Sequence, residues 1–180
     1  MISSYNFSTN GNQKLPILIR AVIGRGWGQG YQHSKSLQSI FAHIPGLKVI
    51  MPSTPYDAKG MIASALTGNN PVICLEHRWL YWQKDFVPKK NYKVSLDTAN
   101  ILKKGKDITL VCTSWMNVEA NQAAIFLEKF GINCEIIDLR SLSPIDDKTI
   151  IKSVNKTKRC MVIDYDWLPY GVSSEVSHLV

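Results

Sequence analysis

This 180-residue chain has no block of like charge, no paired-cysteine motif and no apolar run near the roughly 18 residues a membrane helix needs. Each absence removes a class of function. Lys and Arg number 21 against 14 Asp and Glu, a formal net charge of +7, but they are scattered along the chain. Neither a zinc-finger nor an RNA-recognition pattern accompanies them, so nucleic-acid binding is not expected. The positive excess suits anionic substrates or an acidic partner surface instead. The opening stretch MISSYNFSTNGNQK has no basic patch followed by an apolar core, so no membrane segment or leader is expected and a cytoplasmic location follows. Cys74, Cys112, Cys134 and Cys160 sit in or beside apolar runs without CxxC or metal-ligand spacing, which predicts buried, reduced thiols. No fixed-period repeat and no low-complexity tract occurs.

What is present is an alternation of apolar runs and capped helical segments. A polar lead-in, 1–14, is expected to be flexible, and LPILIRAV (Leu15 to Val22) reads as a buried strand with Pro16 near its start. A helix is expected from Ser34 to His43, then a short strand at Leu47 to Met51. Thr54, Pro55 and Asp57 spell a helix start: a capping hydroxyl, a proline at the first helical position and a carboxylate in the first turn. Ala58, Met61, Ile62 and Ala65 give it an apolar stripe, Gly68 to Asn70 stop it, and PVICLE (Pro71 to Glu76) is the next strand. The rhythm breaks over His77 to Lys106, of which 83–106 is expected to link two units. Trp79, Tyr81 and Trp82 there either form a partner patch or anchor the linker to its own domain.

From Asp107 the alternation resumes. Strands are expected at Asp107 to Thr113, Cys134 to Asp138 and Cys160 to Asp164. A helix is expected from Val118 to Phe130 with Ala120, Ala123, Ala124 and Leu127 inward; a second starts at Ser143, Pro144 and Asp146, and a last one at Val172. The fold class is therefore α/β: two parallel-sheet regions, 15–82 and 107–180.

The chemistry concentrates between Gly24 and Gly60. Gly24, Gly26, Gly28 and Gly30 follow the first strand at alternate positions, a spacing that does not fit GxGxxG and is compatible with a ligand loop or an ordinary turn. The loop delivers Gln32, His33 and Ser34 to the expected helix start. Imidazole exchanges protons near neutrality, which makes His33 the candidate catalytic residue; capping or packing of the helix start is the alternative.

The strings GYQHS, FAHIPGLKVIMPSTPYDAKG and NNPV, within a match running from Leu15 to the C-terminus, closely resemble the β subunit of thiamine-diphosphate-dependent 2-oxo acid dehydrogenase E1 components, the pyruvate dehydrogenase type in particular. The resemblance implies a partial transketolase-like pyrimidine-binding domain followed by a truncated transketolase C-terminal-type domain. It places the family's active-site histidine at His33, handling charge or protons during decarboxylation of a 2-oxo acid and acyl transfer to a lipoyl arm. It also implies a potassium ion held by backbone carbonyls at Ile17, Ala65, Leu66, Gly68 and Asn70, where Gly68 replaces the family's acidic residue; a plain helix cap by Gly68 and Asn69 is the alternative. The implied partners are an E1 α subunit, which brings most of the thiamine diphosphate and Mg2+ site, a lipoyl-bearing E2, and a second β copy in an α2β2 assembly. Neither the family's ylide-forming glutamate nor a GDG motif is found here, so the chain alone is expected to be inactive. A transketolase-like enzyme of another carbonyl substrate, or a non-catalytic interaction module, are the competing readings.

Overall fold

Strand β1 (Leu18–Ile23) leads from the polar N-terminal stretch into the glycine loop of a computed structural model that describes residues 2–26 and 28–180. Ahead of it lies one helical turn, α1 (Tyr5–Ser8). β1 runs parallel to β3 (Val72–His77), Leu18 opposite Val72 and Ile23 opposite His77, and β3 runs parallel to β2 (Lys48–Ile50). β3 is buried at every position, as a central parallel strand covered on both faces must be.

The helix between β2 and β3, α3 (Pro55–Leu66), begins as its sequence predicts: the Thr54 hydroxyl accepts the Asp57 N–H at 3.0 Å and Pro55 opens the first turn. Its fully buried stripe is Asp57, Gly60, Met61 and Ala65. The stretch after β3 is ordered along this helix. Tyr92 stacks on Tyr56 with centroids 4.5 Å apart, the Val94 N–H donates to the Gly60 carbonyl at 3.1 Å, and the Ser64 hydroxyl donates to the Val94 carbonyl at 2.6 Å. A Cβ at Gly60 would lie 2.4 Å from Val94 Cγ2, so the strap needs glycine there.

The second sheet has the order β4–β6–β5–β8, with β4 (Asn100–Lys103), β5 (Ile108–Cys112), β6 (Cys134–Asp138) and β8 (Cys160–Ile163). β5 is parallel to both its neighbours. Helices α4 (Met116–Glu128), α5 (Asp147–Thr157) and α6 (Val172–Leu179) pack on it. One core joins the two sheets: Ile23, Val49, Met51, Ile73 and Leu75 meet Val111, Ile137, Leu139, Ile150, Val172 and Val176.

Four sequence expectations are corrected. Neither sheet is purely parallel, because β4 lies antiparallel to β6 and a three-residue strand, β7 (Ser141–Ser143), lies antiparallel to β2. β7 thus carries the second region into the first region's sheet. The expected Ser34 to His43 helix is only α2 (Gln38–Ala42), preceded by a 3-10 turn over Tyr31–His33. There the Ser34 hydroxyl bonds back to the Gly30 carbonyl at 2.7 Å, competing with helical hydrogen bonding. Ala123 is exposed, because the face of α4 that meets the sheet follows Asn117, Ala120, Ala124 and Leu127 at helical spacing and leaves position 123 beside it. The helix after β7 starts at Asp147, with Asp146, not Ser143, as its cap.

Candidate functional site

The C-terminal ends of β1 and β3 meet those of β5 and β8, the edge at which parallel sheets place their ligands. His77 ends β3 and is fully buried. Its ring stacks on Tyr165 at 5.0 Å and on Trp115 at 6.1 Å, and meets Trp79 edge-on at 5.3 Å. Its Nδ1 accepts the Trp79 N–H at 3.3 Å, while Nε2 has no partner among the described residues. Nε2 lies against Gly24, where an added Cβ would come within 2.3 Å of it and where φ is +94°. Glycine is therefore required at the first position of the loop. Burial, with the Arg78 charge adding, pushes the imidazole down to about 4 and keeps it neutral.

His33 sits at the end of its 3-10 turn with an exposed side chain. The turn itself is fixed. Arg78, 5% exposed, donates from Nη2 to the His33 carbonyl at 2.7 Å and from Nη1 to the Gln29 side chain. The site thus presents an exposed imidazole on an anchored backbone. Beside it opens a cleft of about 1070 Å3, walled by Tyr31, Ser34, Trp79, Glu119, Asp164 and Tyr165 among others. Asp164 accepts hydrogen bonds at Oδ1 from Gln38 Nε2 at 3.1 Å and from Thr113 at 2.5 Å, while its Oδ2 and the Gln38 Oε1 have no partner among the described residues. Burial raises the Asp164 carboxyl above its ordinary range.

A second cluster lies under the same sheet end. Glu76 receives Arg20 through Nε at 2.5 Å and Nη2 at 2.9 Å, and the Tyr81 hydroxyl at 2.8 Å. Burial pushes this carboxyl up, but those donors and the guanidinium charge outweigh it and leave it below the usual carboxylate range. Tyr81 is thus tied to its own sheet through Glu76 although 51% exposed, Trp79 packs edge-on against both His77 and Trp115 of the second region, and Trp82 remains 74% exposed. Glu76, His77 and Arg78 are not singled out by the sequence; the signal available is three consecutive ionisable residues following the apolar run Val72 to Leu75.

The five carbonyls proposed for potassium gather around the end of α3 and the start of β1, but the residues fit an ion incompletely. Ile17 O accepts the Val72 N–H at 2.8 Å and Ala65 O accepts the Gly68 N–H at 3.4 Å, so both already serve the sheet and the helix cap. The cavity bordered by Gly68 and Asn70 also contains the Lys48 ammonium, paired with Asp97. The four cysteines are free thiols, three of them buried. Among the described residues no helix is long and apolar enough to cross a membrane.

Two family models match the chain: the transketolase pyrimidine-binding domain over residues 4–83 and the transketolase C-terminal domain over residues 97–180. The β subunit of acetoin:2,6-dichlorophenolindophenol oxidoreductase from Cupriavidus necator is 43% identical over 175 residues, 97% of this chain and 52% of that protein. The pyruvate dehydrogenase E1 component β subunits of Staphylococcus epidermidis and Staphylococcus aureus are 41% and 40% identical over 98% and 97% of this chain, each match covering 54% of the relative. A solved structure described as a split-gene transketolase, an inactive β4 tetramer, superposes with a TM-score of 0.78 at 25% identity, over 92% of this chain and 53% of that one. The chain thus spans about half the length of the curated relatives it matches.

Proposed function

Because the chain belongs to the transketolase-like family, in the sequence form of the 2-oxo acid dehydrogenase E1 β subunits, we propose that it is a β-subunit segment of a pyruvate dehydrogenase-type E1 component. In this reading 15–82 belong to the pyrimidine-binding domain, 83–106 cross between domains and 107–180 belong to the C-terminal-type domain. The complete enzyme decarboxylates pyruvate or a related 2-oxo acid and passes the acyl group to a lipoyl-bearing E2.

The observation that carries the reading is the state of His33: its main chain is held by Arg78 while its imidazole is exposed among the described residues. A proton-transfer group works best out of bulk water, so an exposed one calls for a second subunit to close over it. The E1 α subunit fills that place, in an α2β2 assembly. Thiamine diphosphate, when bound with Mg2+, supplies the carbanion chemistry that lets a 2-oxo acid lose carbon dioxide. This chain's part is to hold the His33 turn, to donate or accept a proton at the imidazole, and to keep His77 neutral beneath the glycine loop. The residues present fit the reacting end of such a site only; nothing here is assigned to the diphosphate or the ylide-forming step. Potassium belongs to the reading through the family alone. Four free thiols accord with a reducing, cytoplasmic setting.

A second reading has one observation in its favour, the 43% identity to an acetoin oxidoreductase β subunit: the substrate is then acetoin rather than a 2-oxo acid. The test is to purify the chain with the α subunit encoded beside it and assay pyruvate and acetoin with thiamine diphosphate and magnesium. Turnover of pyruvate supports the first reading and turnover of acetoin the second. Stable association with neither activity assigns catalysis to a longer β subunit, and failure to associate rejects both.

A further inference from the structure

The first turn of α2 is fastened to the second region through two aspartates, and the two are used differently. The Ser39 hydroxyl and the Val172 N–H donate to Asp166 Oδ2, the latter at 3.3 Å, and the Trp167 N–H donates to Oδ1 at 2.9 Å, so Asp166 accepts at both oxygens. Asp164 accepts at one. Gln38 Nε2 at 3.1 Å, the Thr113 hydroxyl at 2.5 Å and the Tyr165 N–H at 2.8 Å all converge on its Oδ1, while Oδ2 is buried without a partner among the described residues.

The other side of the same contact repeats the pattern. Gln38 is 0% exposed, and its Oε1 likewise has no donor among the described residues. Buried acceptors are ordinarily satisfied, so an amide oxygen and a carboxyl oxygen left dry beside one existing bond are together one proton short. A carboxylic acid supplies it. A planar acid and a planar amide lying edge to edge make two hydrogen bonds, the amide N–H to the acid carbonyl and the acid O–H to the amide oxygen.

We propose that the Asp164 carboxyl carries a proton on Oδ2 and donates it to Gln38 Oε1, closing a ring of two hydrogen bonds, and that this latch makes Asp164 and Gln38 positioning residues for the segment that carries His33. That segment runs from the His33 carbonyl, held by Arg78 of the first region, to Gln38 and Ser39, held by Asp164 and Asp166 of the second. It is gripped at both ends. Asp164 Oδ2 is sealed from the cleft, so the carboxyl acts through Gln38 and not on a bound molecule.

Burial pushes the Asp164 carboxyl up and the Asp166 charge adds, against the hydrogen bond from Thr113. The other titratable groups around it are Cys112 on β5, Tyr165 on its own loop, and Glu119, Arg25 and Lys35 in the cleft walls; Glu119 disfavours its ionisation and the two cations favour it. Because the folded form holds the proton more tightly than the unfolded chain, the latch is closed at low pH and opens as pH rises through the raised value.

The proposal rests on the E1 β reading only where rates are compared, so its first test needs no turnover. In the full chain, labelled for carbon at the aspartate carboxyls and nitrogen at the glutamine amides, Asp164 should titrate above the ordinary aspartate range, and the Gln38 amide should shift with the same midpoint. An ordinary midpoint, or a Gln38 amide indifferent to it, overturns the proposal. Asp164→Asn rebuilds the ring as two amides and should keep the Ile40 and His43 amides protected from exchange, whereas Asp164→Leu should speed both by about tenfold or more. Gln38→Met makes the same test from the other side should Asp164→Leu fail to fold. Asparagine as disruptive as leucine overturns the proposal. In the assembled complex Asp164→Leu should lower kcat by about 5- to 10-fold with KM unchanged, and Asp164→Asn should lie closer to the native rate. A native complex without turnover rejects the E1 β reading, and the titration and exchange then decide the latch by themselves.

Discussion

Arg78 and His33 are fastened together through the main chain: the buried guanidinium donates to the His33 carbonyl at 2.7 Å, and its other terminal nitrogen donates to the side chain of Gln29. One cation at the end of β3 thereby pins both sides of the turn that carries the histidine. The bond also occupies a carbonyl that an α-helix through Ser34 would need, which helps explain why α2 starts only at Gln38.

Arg78 is therefore expected to set the rate without touching the substrate. In the assembled complex, Arg78→Met should lower decarboxylation by about 10- to 100-fold, the scale of one or two charge-assisted hydrogen bonds. The loss should fall on kcat rather than KM, and Arg78→Lys should recover only part of it because ammonium cannot span both acceptors. Equal thermal destabilisation by both variants with unchanged kcat would show that the guanidinium only stabilises the fold.

His33→Ala should separate chemistry from stability more cleanly. The side chain is exposed, so the unfolding midpoint of the chain should stay within experimental error. Turnover of the complex should drop by roughly 10²- to 10⁴-fold, the usual contribution of a positioned acid or base. Retained decarboxylation and retained acyl transfer together would remove His33 from the mechanism.

The sequence made some of this architecture legible and hid the rest for physical reasons. Thr54, Pro55 and Asp57 announce α3 because capping is local, and the cap forms as expected. β6 was read to the residue, Cys134 to Asp138, because its whole run is buried. β7 escaped notice because three residues, SLS, have no period; only pairing with β2, more than ninety positions away, makes them a strand. The candidate site divides the same way. His33 was visible through its glycine loop and GYQHS string, whereas Arg78 and His77 lay in a stretch read mostly as a break in rhythm. Their roles depend on contacts with residues 24–33 and with Trp115 and Tyr165, which no local pattern encodes.

The joint between the two regions rests on a second guanidinium. Arg140, in a left-handed conformation at φ +52°, donates to Asp57 at 2.8 Å and to the Thr98 carbonyl at 2.9 Å. Asp57 is 2% exposed and also accepts the Thr54 hydroxyl at 3.0 Å. Arg140→Met would leave that carboxylate buried without its counterion, at a cost of about 3–5 kcal/mol. Urea unfolding should show the loss directly. The double variant with Asp57→Asn should be less unstable than the sum of the singles, because the uncompensated charge is gone; strict additivity would mean the pair is not coupled.

Two buried groups pull stability in opposite directions across one pH window. His77, held neutral with its imidazole pushed down to about 4 from 6.5, gives stability that is complete above 6.5 and is lost as pH falls through about 4. Asp138 is fully buried beneath the Ser53 hydroxyl, and burial pushes its carboxyl up to about 7 from 3.8, with the nearby Asp57 charge adding. Its folded form binds a proton that the unfolded chain releases, so its contribution is complete below 3.8 and is lost as pH rises through about 7. In the native chain the two slopes oppose each other. Asp138→Asn keeps a neutral side chain at every pH and removes only the second slope. Stability measured by urea unfolding between about pH 4 and 7.5 should therefore climb more steeply with pH in the variant than in the native chain. Parallel curves would show that Asp138 keeps the same charge in the folded and unfolded chain.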